Sequence, residues 1–154
     1  MFTIDRGEFH EIESEDSFEI VSTHPVMVAQ YLVSQTRSED NVGDPAMIIA
    51  PPVSQLRNAY QIITPQDYSV NWLTIARPVG TPIHLDDVLV DDALFMPFGG
   101  GDYEAAFVPV EEGVHRLRGE APFGLTVYGY SAAVSYGYPG GLNLRSDREM
   151  NPPP

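Results

Sequence analysis

The chain has 154 residues, 22 of them acidic and 8 basic, and a formal charge of -14. A phosphate-binding surface needs clustered positive charge, so nucleic acid and anionic membrane are disfavoured partners. There is no cysteine, which excludes disulfides, thiol catalysis and thiolate metal sites.

In chain order, the opening residues MFTIDRGEFHE lack the basic start and apolar run of a signal peptide. They read instead as the start of a fragment from a longer secreted protein. No apolar run approaches the roughly 20 residues that span a bilayer, so membrane insertion is not expected. Periodicity then predicts ten short strands: Phe9–Ile12, Ser17–Ser22, Val26–Val33, Ala46–Ala50, Ala59–Thr64, Ser69–Arg77, Ile83–Val90, Tyr103–Val110, Val114–Arg118 and Gly124–Ser135. Val26–Val33 is apolar on both faces and reads as a central, covered strand. Val114–Arg118 is half polar, with Val114, Arg116 and Arg118 on one face and His115 and Leu117 on the other. The one helical signal is a short turn near Ser54–Tyr60. Turn chemistry separates the strands at Asn41–Pro45, Thr64–Asp67, Pro78–Gly80, Gly99–Asp102 and Glu111–Gly113.

Ten short strands with turns every 8–12 residues predict an all-β fold, an antiparallel β-sandwich or jelly roll. It forms one domain over residues 1–142, followed by an irregular Pro-rich tail, 143–154.

The standard catalytic patterns are missing, so an enzyme is not expected. Ser131 lies in Gly129-Tyr130-Ser131-Ala132-Ala133, which lacks the last glycine of a nucleophile elbow and its strand-to-helix context. His10-Glu11 begins a zinc motif, but Ser14 stands where the second histidine belongs. His10, His24, His84 and His115 are scattered, and each reads first as a hydrogen-bonded structural residue. Asp44, before Pro45, reads as a turn starter, with an oxygen ligand at a loop tip as the alternative.

Two acidic pairs, Asp86-Asp87 and Asp91-Asp92, bracket Val88–Val90, and Asp102 follows three glycines. Calcium takes about six to eight oxygens from bent, carboxylate-rich loops. These five residues are therefore the candidate metal ligands, and calcium the one cofactor considered. The plainer reading is solvated, turn-forming aspartate.

The stretch Phe123–Gly141 carries two Tyr-Gly-Tyr triplets, Tyr128–Tyr130 and Tyr136–Tyr138, and a Pro-Gly-Gly exit. Side chains two apart share a strand face. If exposed, the tyrosines form an aromatic platform for protein or sugar; if buried, they fill the sandwich while the glycines admit close packing. Tyr136 and Tyr138, nearest the exit, are the better candidates for exposure.

Four stretches, Thr23–Gln35, Gly43–Pro65, Glu111–Tyr130 and Ser135–Gly141, resemble in order the N-terminal domain family of IgG-Fc-binding proteins. The resemblance implies an extracellular, cell-surface binding or adhesion module with a sandwich distantly similar to CUB domains. The family domain is longer, so the resemblance is to its C-terminal part, and the cysteine-free acidic composition implies a bacterial-type member. Antibody binding is not carried over. The expected partner is a protein or a glycan on a cell or matrix surface. Two further readings stand beside it: a self-associating assembly unit of a surface fibre, and a calcium-dependent carbohydrate binder.

Overall fold

The computed structural model describes residues 1–38 and 41–144. Ten strands run in order: β1 Val28–Tyr31, β2 Met47–Ala50, β3 Arg57–Thr64, β4 Val70–Pro78, β5 Ile83–Leu85, β6 Val88–Leu89, β7 Met96–Phe98, β8 Tyr103–Val110, β9 Gly113–Ser131 and β10 Val134–Pro139. Every pairing is antiparallel.

The organising element is β9, 19 residues long. Its first part pairs with β3 on one side and β5 on the other, and β6 extends this first sheet. Its second part pairs with β4 and β10, and β8 and β7 extend the second sheet beyond β4. The strand thus leaves one sheet and enters the other without a turn. Gly119 sits at the crossing, where an added Cβ would come 2.7 Å from Ile83 Cδ1 and 3.0 Å from Phe123 Cδ1. Pro122, with no N–H to give to a ladder, is placed where β9 changes partners.

Between the two sheets lies the core. Tyr60, Ile62, Ile83 and Leu117 from the first sheet meet Leu73, Ile75, Ala106, Val108, Leu125 and Val127 from the second, with Phe123 at the corner and Val90 and Phe95 closing from the connections. Strict alternation in β4, buried at Leu73, Ile75 and Arg77, gives this strand one inward face. Arg77 is a charged member of this interior, 1% exposed, and is fully engaged. Its guanidinium bonds Glu104 at 2.7 Å, Asp92 at 2.7 Å and the Thr81 carbonyl at 2.7 Å, and lies 3.4 Å from the centre of the Phe95 ring.

Several expectations are corrected. Phe9–Ile12 and Ser17–Ser22 form no strand; residues 1–26 run exposed along the surface with no sheet partner. Val26–Val33 is not central. Only Val28–Tyr31 pairs, in a two-stranded ribbon with β2, and Met27 and Tyr31 stay exposed. Ile83–Val90 is broken at Asp86-Asp87, both at positive φ of 50° and 67°, which makes a two-residue hairpin turn. Val114–Arg118 and the start of Gly124–Ser135 are one strand, and the turn falls instead at Ala132-Ala133, inside the second range. The helical turn near Ser54 is a short 3₁₀ segment, Val53–Gln55, before β3 begins. Of the expected tail, residues 145–154 lie outside the described part.

Candidate functional site

The two Tyr-Gly-Tyr triplets are the two arms of one hairpin. Tyr128 stands opposite Gly137 and Gly129 opposite Tyr136. Directly opposed residues share a sheet face, so the two triplets point their tyrosines in opposite directions. Tyr136 and Tyr138 face inward and pack against the hydrophobic core. Tyr128 and Tyr130 face outward.

This geometry explains both glycines. A Cβ on Gly129 would lie 2.4 Å from Tyr136 Cε1 and 2.8 Å from the Val70 carbonyl oxygen, so Tyr136 occupies the missing side chain's place. The Tyr136 hydroxyl donates to Asn71 Oδ1 at 2.7 Å, and its ring meets Tyr68 edge-on at 4.6 Å. On the other side a Cβ on Gly137 would lie 2.4 Å from Ile48 Cδ1, because the β1–β2 ribbon rests there. Burial pushes the Tyr136 and Tyr138 phenols above their ordinary pKa. The expectation that Tyr136 and Tyr138 are the exposed pair is therefore corrected: both are half-buried, held by the core and by hydrogen bonds.

The outer face of the second sheet presents a different aromatic surface. Across its strands run the rows Tyr130–Val70, Tyr128–Trp72–Pro109 and Thr126–Thr74–Phe107, followed by Ala76–Ala105–Met96. Tyr128 and Trp72 are half-buried, while Val70 is 41%, Phe107 54% and Met96 69% exposed. The rings of Tyr128 and Tyr130 meet edge-on at 5.8 Å. Burial raises the Tyr128 pKa, while a hydrogen bond with Thr74 acts in the opposite sense. No charged side chain interrupts these rows, in a chain of charge -14. Trp72 and Phe107 were missed in the sequence because alternation in β4 and β8 marks both faces without saying which one stays open.

The acidic candidates are not gathered into one ligand set. Among the described residues no three metal-ligating side chains come together. Asp86 Oδ2 lies 2.7 Å from His115 Nδ1, and its Oδ1 accepts from the Arg116 N–H at 2.8 Å. Asp87 pairs with Arg118, Asp92 with Arg77, and Asp91 caps the 3₁₀ turn Asp92–Leu94 through the Ala93 N–H. Asp102 accepts from the Val79 N–H through its carbonyl.

His115 Nε2 also lies 3.0 Å from the Glu111 carbonyl, so both ring nitrogens face acceptors and both bonds form only in the imidazolium. Burial alone would lower the His115 pKa, but the bonds to Asp86 and Glu111 and the Asp86 charge raise it. At Asp86, burial would raise the pKa, and the His115 and Arg116 interactions outweigh it and hold the carboxyl low.

The other histidines stay apart. His10 stacks on Phe2 at 3.9 Å in the N-terminal segment, the His24 carbonyl accepts from Ser22 Oγ, and His84 is exposed on the first sheet. Ser131 Oγ lies 3.1 Å from Ser69 Oγ, a hydroxyl pair with no base. The Asp44 N–H donates to Ser135 Oγ at 2.7 Å, tying the loop before β2 to β10. No helix among the described residues is long and apolar enough to cross a membrane.

No curated protein and no solved structure matches this sequence. The family described as IgGFc binding protein matches residues 1–129, from the N-terminal segment almost to the end of β9. The range covers the first tyrosine triplet up to its glycine and stops short of β10. With this match over most of its length, the all-β chain belongs to the IgGFc binding protein family.

Proposed function

We propose that the domain is a non-enzymatic extracellular binding module of a larger secreted or surface protein, with a protein as its partner. Family membership supports the class of function, and antibody itself is not assigned as the partner. The observation that carries the reading is the uncharged aromatic face of the second sheet, centred on Trp72, Phe107 and Tyr128. Exposed aromatic and aliphatic groups set on a sheet, with no charged side chain among them, have the composition of an interface centre. The net charge of -14 also favours partners with basic patches.

The test is retention of extracellular proteins on the immobilised domain, wild type against Phe107→Asp. The expected result is a partner held by the wild type and lost from a variant with an unchanged melting curve. Equal retention by both would move the interface elsewhere. Capture of glycans with no protein would replace the partner class, and a stable oligomer by light scattering would favour an assembly unit.

A further inference from the structure

Strand β3 lies apart from the aromatic face and pairs with β9 alone among the described strands. In the first sheet β3 bonds β9 through Tyr60, Ile62 and Thr64, which leaves the N–H and C=O groups of Ala59, Gln61 and Ile63 pointing away from the sheet. The parity is fixed at Ile63, whose N–H and carbonyl are both engaged by the Tyr138 hydroxyl from outside the sheet. The outward groups of Ala59 and Gln61 have no such partner among the described residues.

A groove runs along this open stretch. It comprises two adjoining depressions of about 240 and 400 Å³, which share Gln61 and Gly140 in their walls. Arg57 stands at one end and Tyr138 closes the other, with the Gly140-Gly141 backbone opposite β3. Beside the groove, Ile63 and Val114 form an exposed cross-strand pair, 60% and 57% accessible.

Charge defines the occupant. In a chain of net charge -14, Arg57 and Arg116 are exposed here and form no ion pair among the described residues. Arg116 is drawn towards β3 by Gln61, whose Oε1 lies 3.4 Å from its Nε. Unpaired main-chain groups select an extended strand, the aliphatic pair selects an aliphatic side chain, and the two arginines select carboxylates. β3 carries no carboxylate, so a second copy paired antiparallel along this edge would leave Arg57 and Arg116 without acidic partners from β3, which disfavours β3–β3 pairing. We propose that β3 accepts an extended, acidic, aliphatic segment of a partner protein as an added strand along Ala59–Gln61, with Tyr138 as the stop.

The experiment uses the full chain and a synthetic peptide of alternating Val and Thr flanked by Asp, with a Lys-flanked version and a backbone N-methylated version as controls. Gln61→Pro removes one outward N–H and no main-chain bond to β9, with folding checked by its melt. It also removes the side-chain contact with Arg116, which Gln61→Ala, keeping the N–H, controls for and is expected to leave binding intact. The expected results are micromolar binding of the Asp-flanked peptide, protection of the Ala59 and Gln61 amides from exchange, and at least tenfold weaker binding to Gln61→Pro and by the N-methylated peptide. Arg116→Glu is expected to reverse the preference towards the Lys-flanked peptide. Tyr138→Phe frees Ile63 and is expected to tighten binding. Binding that ignores Gln61→Pro and N-methylation, no binding at millimolar peptide, or a concentration-dependent dimer abolished by Gln61→Pro would each overturn the proposal. Phe107→Asp is expected to bind the peptide like the wild type, which separates this edge from the aromatic face.

Discussion

The phenolic oxygen of Tyr138, on the edge strand of one sheet, accepts from the Ile63 N–H at 3.2 Å and donates to the Ile63 carbonyl on the edge strand of the other. One side chain thus links the two sheets and satisfies a pair of edge groups. Tyr138→Phe keeps the packed ring and removes both bonds. The expected loss is about 1–2 kcal/mol, read as a lower denaturation midpoint with an unchanged m value.

The glycines of the triplets differ in what they protect. Gly129→Ala drives a methyl into the Val70 carbonyl and the Tyr136 ring, and backbone has little freedom to yield. A loss of about 3 kcal/mol or more is expected, with the Tyr136–Asn71 bond broken. Gly137→Ala meets only the Ile48 and Leu32 side chains of the ribbon region. It is expected to cost about 1–2 kcal/mol and to raise amide exchange in β1 and β2 while β4 and β8 stay protected. Equal effects at the two positions would contradict this.

The His115–Asp86 pair predicts a stability window in pH. Asp86 is held low, so its contribution is present above the unfolded carboxylate pKa, near 3.9, and fades as pH falls through the folded value. His115 is held high, so its contribution is present below the unfolded value, near 6.5, and fades as pH rises through the folded one. Together they act fully between about pH 4 and 6.5. Asp86 is half exposed, so the effect is modest, below about 1 kcal/mol. Melting curves across pH are expected to show this window in the wild type and lose it in Asp86→Asn.

Arg77 is buried among three acceptors and an aromatic ring. Arg77→Ala leaves Glu104 half-buried without its cation and is expected to cost about 3–5 kcal/mol. Arg77→Met refills the space and is expected to recover part of it, as read by chemical denaturation.

Much of the sandwich was legible. Tyr103–Val110 coincides with β8, and the readings of β3 and β4 differ from the structure by one or two residues at their ends. Alternation reports which residues share a face, and it found those faces. It does not report partners. The apolar residues of Val26–Val33 therefore looked like a covered central strand, when most of that run covers a neighbour and stays open itself. The expected strands Val114–Arg118 and Gly124–Ser135 stop on either side of Gly119 and Pro122, residue types that usually end strands. Here they let one strand bend between sheets. The inward turn of Tyr136 and Tyr138 depended on a hairpin at Ala132-Ala133, where no glycine or proline marks the turn and Ala133 takes a φ of 53°.

The continuous course of β9 has a mechanical consequence. Under tension, the sheets of a sandwich joined only by loops could peel apart one after the other. In this chain a single uninterrupted strand is laced into both. Load entering either sheet reaches β9, and extracting β9 strips β3, β4, β5 and β10 of their shared partner together. The domain should therefore rupture under tension in one step, with no half-open state in which one sheet survives.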